Sequence, residues 1–97
     1  MKEGRLLFGH AYIGHFIYVV GGGDAQLKSL RSCEVYHMLH NEWKIMSTEL
    51  PDICTMGITL LSVKQRFLYG FGSMGTEERV IRLDSVKLRQ WEVVEIR

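Results

Sequence analysis

Apolar positions in this chain fall in short runs bounded by glycine or by charged residues, and the runs recur in a fixed order. Leu6 to Ile13 and Phe16 to Val20 are parted by Gly14-His15, a two-residue hairpin signal. Ile58 to Val63 and Phe67 to Phe71 flank Lys64-Gln65-Arg66 in the same way. Cys33 to Tyr36 and Val80 to Leu83 predict third strands, while Trp43 to Met46 and Trp91 to Glu95 predict fourth strands. Residues 5–50 and 51–97 therefore form two units of the same plan.

The repetition extends to individual residues. Phe16-Ile17-Tyr18-Val19-Val20-Gly21-Gly22 lies over Phe67-Leu68-Tyr69-Gly70-Phe71-Gly72-Ser73 at an offset of 51, and Trp43-Lys44-Ile45 over Trp91-Glu92-Val93 at 48. In Trp-x-[Ile/Val] on a strand, the tryptophan and the β-branched residue project to one face, and Lys44 or Glu92 takes the other. An aromatic of that size locks one sheet against the next. Repetition of four strands per unit is the spacing of propeller blades.

On these residues the chain resembles two kelch repeats. The family pattern is an apolar strand ending in a double glycine, then a tyrosine on the third strand and a tryptophan seven residues later. The first unit matches with Tyr18, Gly21, Gly22, Tyr36 and Trp43. The second matches through Tyr69, Gly72 and Trp91, but has Gly72-Ser73 for the double glycine and Leu83-Asp84 where the family has Tyr-Asp. In the first unit His37-Met38 replaces the usual Asp-Pro.

The resemblance implies an all-β fold of two four-stranded antiparallel blades, a partial kelch propeller over residues 1–97. It implies a protein-interaction module, scaffold or adaptor, with no chemistry of its own. A propeller closes by packing each blade on two neighbours. Two blades leave two faces uncovered, so further blades in the same chain, or other copies, are expected to complete a ring. Loops at one end of such rings usually contact a protein partner. By position these are Asp24, Gln26, Lys28 and Arg31 in the first unit, and Met74, Thr76 and Glu77 in the second. The plainer reading of each is a solvated loop residue. Tyr18, Tyr36, Tyr69, Trp43 and Trp91 are expected to be packing residues.

Composition narrows the alternatives. The chain has 97 residues, 46% hydrophobic and 24% charged, with a net charge of +1. That is an ordinary globular mix for at most one domain. Its charges are scattered, and the basic stripe of a nucleic-acid binder is missing. The 18 residues from Leu6 to Gly23 carry no Asp, Glu, Lys or Arg. Their regular histidines, tyrosines and glycines argue against a leader or a membrane span. Two cysteines, Cys33 and Cys54, suggest free thiols in a reducing, cytoplasmic setting.

Three chemical readings compete with the blade. Val19-Val20-Gly21-Gly22-Gly23-Asp24-Ala25 opens like a dinucleotide-binding turn, with apolar residues at Leu27, Leu30 and Cys33 as two turns of a following helix. Gln26 stands where the third glycine of that motif allows the helix to pack, and the tryptophans go unexplained. A zinc site from Cys33, His37, His40 and Cys54 lacks a CxxC or HxxxH pairing, and an i, i+3 pair on one strand points to opposite faces. Some kelch-like propellers are enzymes of the copper-dependent galactose oxidase type, whose ligands come from several blades. No catalytic, metal or cofactor residue can be named here, and the chain is expected to carry no cofactor.

Overall fold

In the computed structural model the described residues are 1–51, 57–74, 77–86 and 90–94, with the backbone alone for 73, 74 and 77–79. Among them are eight strands and no helix. Strands β1 (Gly9–Ile13), β2 (Phe16–Val20), β3 (Cys33–His37) and β4 (Glu42–Ile45) form one antiparallel sheet in sequence order. Strands β5 (Thr59–Val63), β6 (Phe67–Met74), β7 (Glu77–Asp84) and β8 (Trp91–Val94) form the second. The expected all-β architecture of two four-stranded blades is present, and the blades stand side by side without closing a ring.

The hairpins fall where the turn residues place them. Gly14 turns β1 into β2 at φ 56°. Lys64 and Gln65 make the corresponding turn at φ 55° and 53°, a conformation costing a non-glycine residue about 1–2 kcal/mol. The Arg66 N–H closes that turn on the Val63 carbonyl at 3.1 Å. The Gly14 N–H then donates to Gln65 Oε1 at 2.9 Å, tying the two turns together.

Two boundaries differ from the sequence reading. The first strand begins at Gly9 rather than Leu6, because Leu7 adopts φ 55° and swings the chain aside. Leu6 instead exchanges both backbone hydrogen bonds with Gly23, at 2.9 and 2.8 Å. The second difference lies at the β6–β7 connection. Pairing continues through Gly72↔Arg79, Ser73↔Glu78 and Met74↔Glu77, so Met74 and Glu77 end two long strands rather than lie in an open loop. Thr76 is outside the described residues.

Residues opposite one another in register share a face, which assigns each side of each blade. In blade 1, Tyr12, Ile17, Tyr36 and Trp43 line one face. Ala11, Tyr18, Val35 and Lys44 line the other. In blade 2 the row equivalent to the first is Ser62, Leu68, Leu83 and Trp91. The core forms where this tryptophan face of blade 2 meets the lysine face of blade 1. Leu60, Leu68, Ile81, Leu83 and Trp91 pack there with Ala11, Ile13, Val20 and Cys33, while Tyr18 and Met46 cover the margin.

This direction of stacking separates the two tryptophans. Trp43 stands opposite Tyr36 and Trp91 opposite Leu83, the same register on equivalent strands. Trp91 is covered by blade 1 and is 7% exposed. Trp43 packs edgewise on Tyr36, with ring centroids 5.0 Å apart, and its face carries no further blade. It is only half-buried.

Candidate interaction surface

The connection from β2 to β3 is a structured loop whose base is held by a buried arginine. The Arg5 guanidinium donates to the Gly21 carbonyl at 2.8 Å and to the Ser32 carbonyl at 2.9 Å, the two ends of the loop. It also donates to Ser32 Oγ at 2.9 Å and to Glu34 Oε2 at 3.2 Å. Both side chains of the Arg5–Glu34 pair are fully buried. Burial by itself would raise the Glu34 carboxyl. The Lys2 and Glu3 amides and the Arg5 guanidinium outweigh that effect and hold it below its ordinary value. Reading the sequence missed this pair, in which Glu34 was only one residue of a third strand.

Above this base the chain turns at Gly22, whose φ of 88° suits glycine and whose position leaves no room for a side chain. A Cβ there would lie 2.5 Å from the Leu6 carbonyl oxygen. Asp24 then organises the tip. Its Oδ1 accepts the amides of Gln26 and Lys28, both at 2.9 Å, and its own N–H donates to the Lys28 carbonyl at 3.0 Å. This is the aspartate turn that the residue type favours. Leu27 sits at the apex with φ 61° and 61% exposure. Arg31 Nε donates to the Leu50 carbonyl at 2.9 Å and fastens the far side to the segment after β4.

The four first-unit residues expected to meet a partner thus divide. Asp24 and Arg31 shape the loop, whereas Gln26 and Lys28 present exposed side chains. Leu27 joins them at the surface. An exposed leucine in the left-handed region is a conformation that sequence alone does not announce. Of the second-unit residues, Met74 and Glu77 are paired in backbone register at the end of β6 and the start of β7.

The competing chemistries fare as follows. Residues 25–32 form no helix, and β3 runs antiparallel to β2, which removes the dinucleotide-binding reading. His37 and His40 do not share a strand, the condition on which they would diverge. His40 lies in the turn after β3, and the two imidazoles stack with centroids 4.1 Å apart. Cys54 is outside the described residues, and among those described no three metal-ligating side chains converge. Cys33 is a free thiol in the core. Burial, opposed by the neighbouring Trp91 and Arg5, pushes it up to about 11. The Trp91 indole N–H is buried without a partner in hydrogen-bonding geometry.

Four-stranded antiparallel sheets stacked through a tryptophan-bearing strand define a blade-type repeat protein. Residues 4–48 match the kelch motif. Over 76 residues, 75% of its length, the chain is 36% identical to an F-box/kelch-repeat protein of Arabidopsis thaliana, of which it spans 19%. The chain belongs to the kelch-repeat family.

Proposed function

We propose that this chain is a protein-interaction module, two kelch blades of a larger propeller that serves as a scaffold or adaptor. The observation that carries the reading is the β2–β3 loop. Arg5, Asp24 and Arg31 fix its backbone, and Gln26, Leu27 and Lys28 project from it into solvent. A loop already ordered loses little conformational freedom when a partner binds, which favours affinity. The kelch motif and the F-box/kelch-repeat relative support the same class of function, without catalysis.

Two further features fit this reading. The Trp43 face of blade 1 and the Tyr69 face of blade 2 are the surfaces on which neighbouring blades would stack, whether from a longer chain or from other copies. The second is the setting we assign, reducing and cytoplasmic, in which both cysteines would stay as thiols.

The test is quantitative affinity capture with the native chain and with Leu27→Ser and Lys28→Glu, both at exposed positions. Proteins bound through the loop are recovered by the native chain and lost from both variants, and the loss repeats with purified components. Identical recovery by all three chains would remove the loop from the interaction.

A further inference from the structure

We propose that the cleft between the two blades is a docking site for an extended peptide presenting a large apolar side chain next to a carboxylate. The proposal deepens the interaction-module reading by assigning it a second contact, apart from the β2–β3 loop. It starts from the row Tyr18, Val35 and Lys44, which runs across blade 1 on the face turned toward blade 2. Blade 2 covers the inner half of that face, over Ala11, Ile13, Val20 and Cys33. The outer half remains open as a cleft of about 400 Å³, bounded by Tyr18, Val35 and Met46 and, from blade 2, by Leu83 and Ser85. Cavities of that size and apolar lining take up ligands.

Comparison of the two blades explains the charge at its mouth. In blade 2 the equivalent row is Tyr69, Arg82 and Glu92, and Arg82 donates to Glu92 across the strands at 2.8 Å. In blade 1 Val35 stands in the place of Arg82, and Lys44 in the place of Glu92. Blade 1 therefore has no cross-strand ion pair at this place, and the charge there is positive where blade 2 has a negative one. Among the described residues Lys44 forms no ion pair, although Glu42 lies two positions away on the same strand face.

Two of the hydroxyls nearby are already engaged. Thr48 Oγ1 accepts the backbone N–H of Trp91 at 3.3 Å, and Ser85 Oγ donates to the Arg66 carbonyl at 2.6 Å. An uncompensated ammonium beside an apolar cleft selects an apolar group carrying an anion.

The edge of the sheet selects a peptide over a small acid. β4 is the outermost strand of blade 1, and Lys44 and Ile45 border the cleft directly from it. Its outer edge offers backbone donors and acceptors to an extended segment, the means by which sheet edges bind peptides. Blades added to the Trp43 face or to the Tyr69 face would leave this cleft open, because it lies between the two blades already present.

The probe is a fluorescein-labelled peptide with a central Phe-Asp between glycines, followed by anisotropy and by amide chemical-shift mapping on the whole chain. A Phe-Lys peptide and a Gly-Asp peptide serve as controls. Expected are binding by the native chain and by Lys44→Arg, about tenfold weaker binding by Lys44→Glu, and a similar deficit for both control peptides. Shifts should fall on Val35, Met46 and Leu83. Lys44 is exposed on an edge strand, and a native urea midpoint for Lys44→Glu shows that the variant is folded. Unchanged binding by Lys44→Glu, equal binding of the Phe-Lys peptide, or shifts confined to residues 23–31 would overturn the site. The last outcome would leave the loop-based function standing, whereas capture that ignores the loop variants would reject the loop and leave the cleft.

Discussion

The Arg5 guanidinium and the Glu34 carboxylate face each other at 3.2 Å, and neither side chain reaches solvent. The equivalent place to Glu34 in blade 2 is held by Ile81, also fully buried. One fold position thus accepts either an ion pair or a hydrocarbon. The difference lies in what surrounds it: in blade 1 the pair also satisfies the Gly21 and Ser32 carbonyls and the Lys2 and Glu3 amides.

Arg5→Ala is therefore expected to cost about 3–5 kcal/mol, since it leaves a buried carboxylate without its counter-charge. That is a large share of the roughly 5–15 kcal/mol available to a domain. Arg5→Met combined with Glu34→Ile should cost less than Arg5→Ala alone, because no charge then remains buried. Urea denaturation of the single and double variants measures the coupling directly. Strictly additive losses would show that the two groups do not act as a pair.

The same pair sets an acid limit. Glu34 holds its proton less tightly folded than unfolded, so below about pH 4.3 the unfolded chain takes up more protons. Its contribution is complete above the unfolded value and is lost as pH falls through the folded one. Glu34→Gln lacks this component. The stability gap between the native chain and Glu34→Gln should narrow steadily as pH is lowered from about 6 toward 3. Parallel curves over that range would place the acid sensitivity on other carboxylates.

Cys33 works in the alkaline direction. Its thiol, raised to about 11 by burial, is protonated in the folded chain where an unfolded cysteine would already ionise. The stabilisation is full below about pH 8.5 and declines as pH rises toward the folded value. In a Cys54→Ser background, iodoacetamide at about pH 8 should leave Cys33 unmodified until urea unfolds the chain. Rapid alkylation of the native protein would contradict the buried position.

Much of this architecture is legible locally. The runs at Phe16–Val20 and Phe67–Phe71, with their turns, locate strands because each signal is contained within a few residues. Alternation alone also places Lys44 on the face opposite Trp43. What escapes is whatever depends on register. The lack of a partner for Lys44 becomes visible only once Val35 is seen across from it, and the Arg5–Glu34 pair joins residues 29 apart in sequence. The strand beyond Phe71 escapes for a related reason. Gly72 and Ser73 look like loop residues, yet pairing with residues 77–79 overrides their local preference. Leu7 and Leu27 are hidden for another cause: leucine gives no sign that its backbone will turn left-handed.

The two tryptophans provide the sharpest test of the stacking direction. Trp91→Ala empties a site sealed by blade 1 and should cost about 3–5 kcal/mol, while Trp43→Ala, on the open face, should cost about half as much. Trp91→Phe should be tolerated far better than Trp91→Ala, because most of the ring volume is kept. Single-tryptophan versions made with phenylalanine separate the signals. Acrylamide should quench Trp43 readily and Trp91 weakly, and a neighbouring blade supplied on the Trp43 face should abolish the contrast. Equal quenching in the isolated chain would mean that blade 2 does not rest its tryptophan face on blade 1, and the cleft beside Lys44 would then have no second wall.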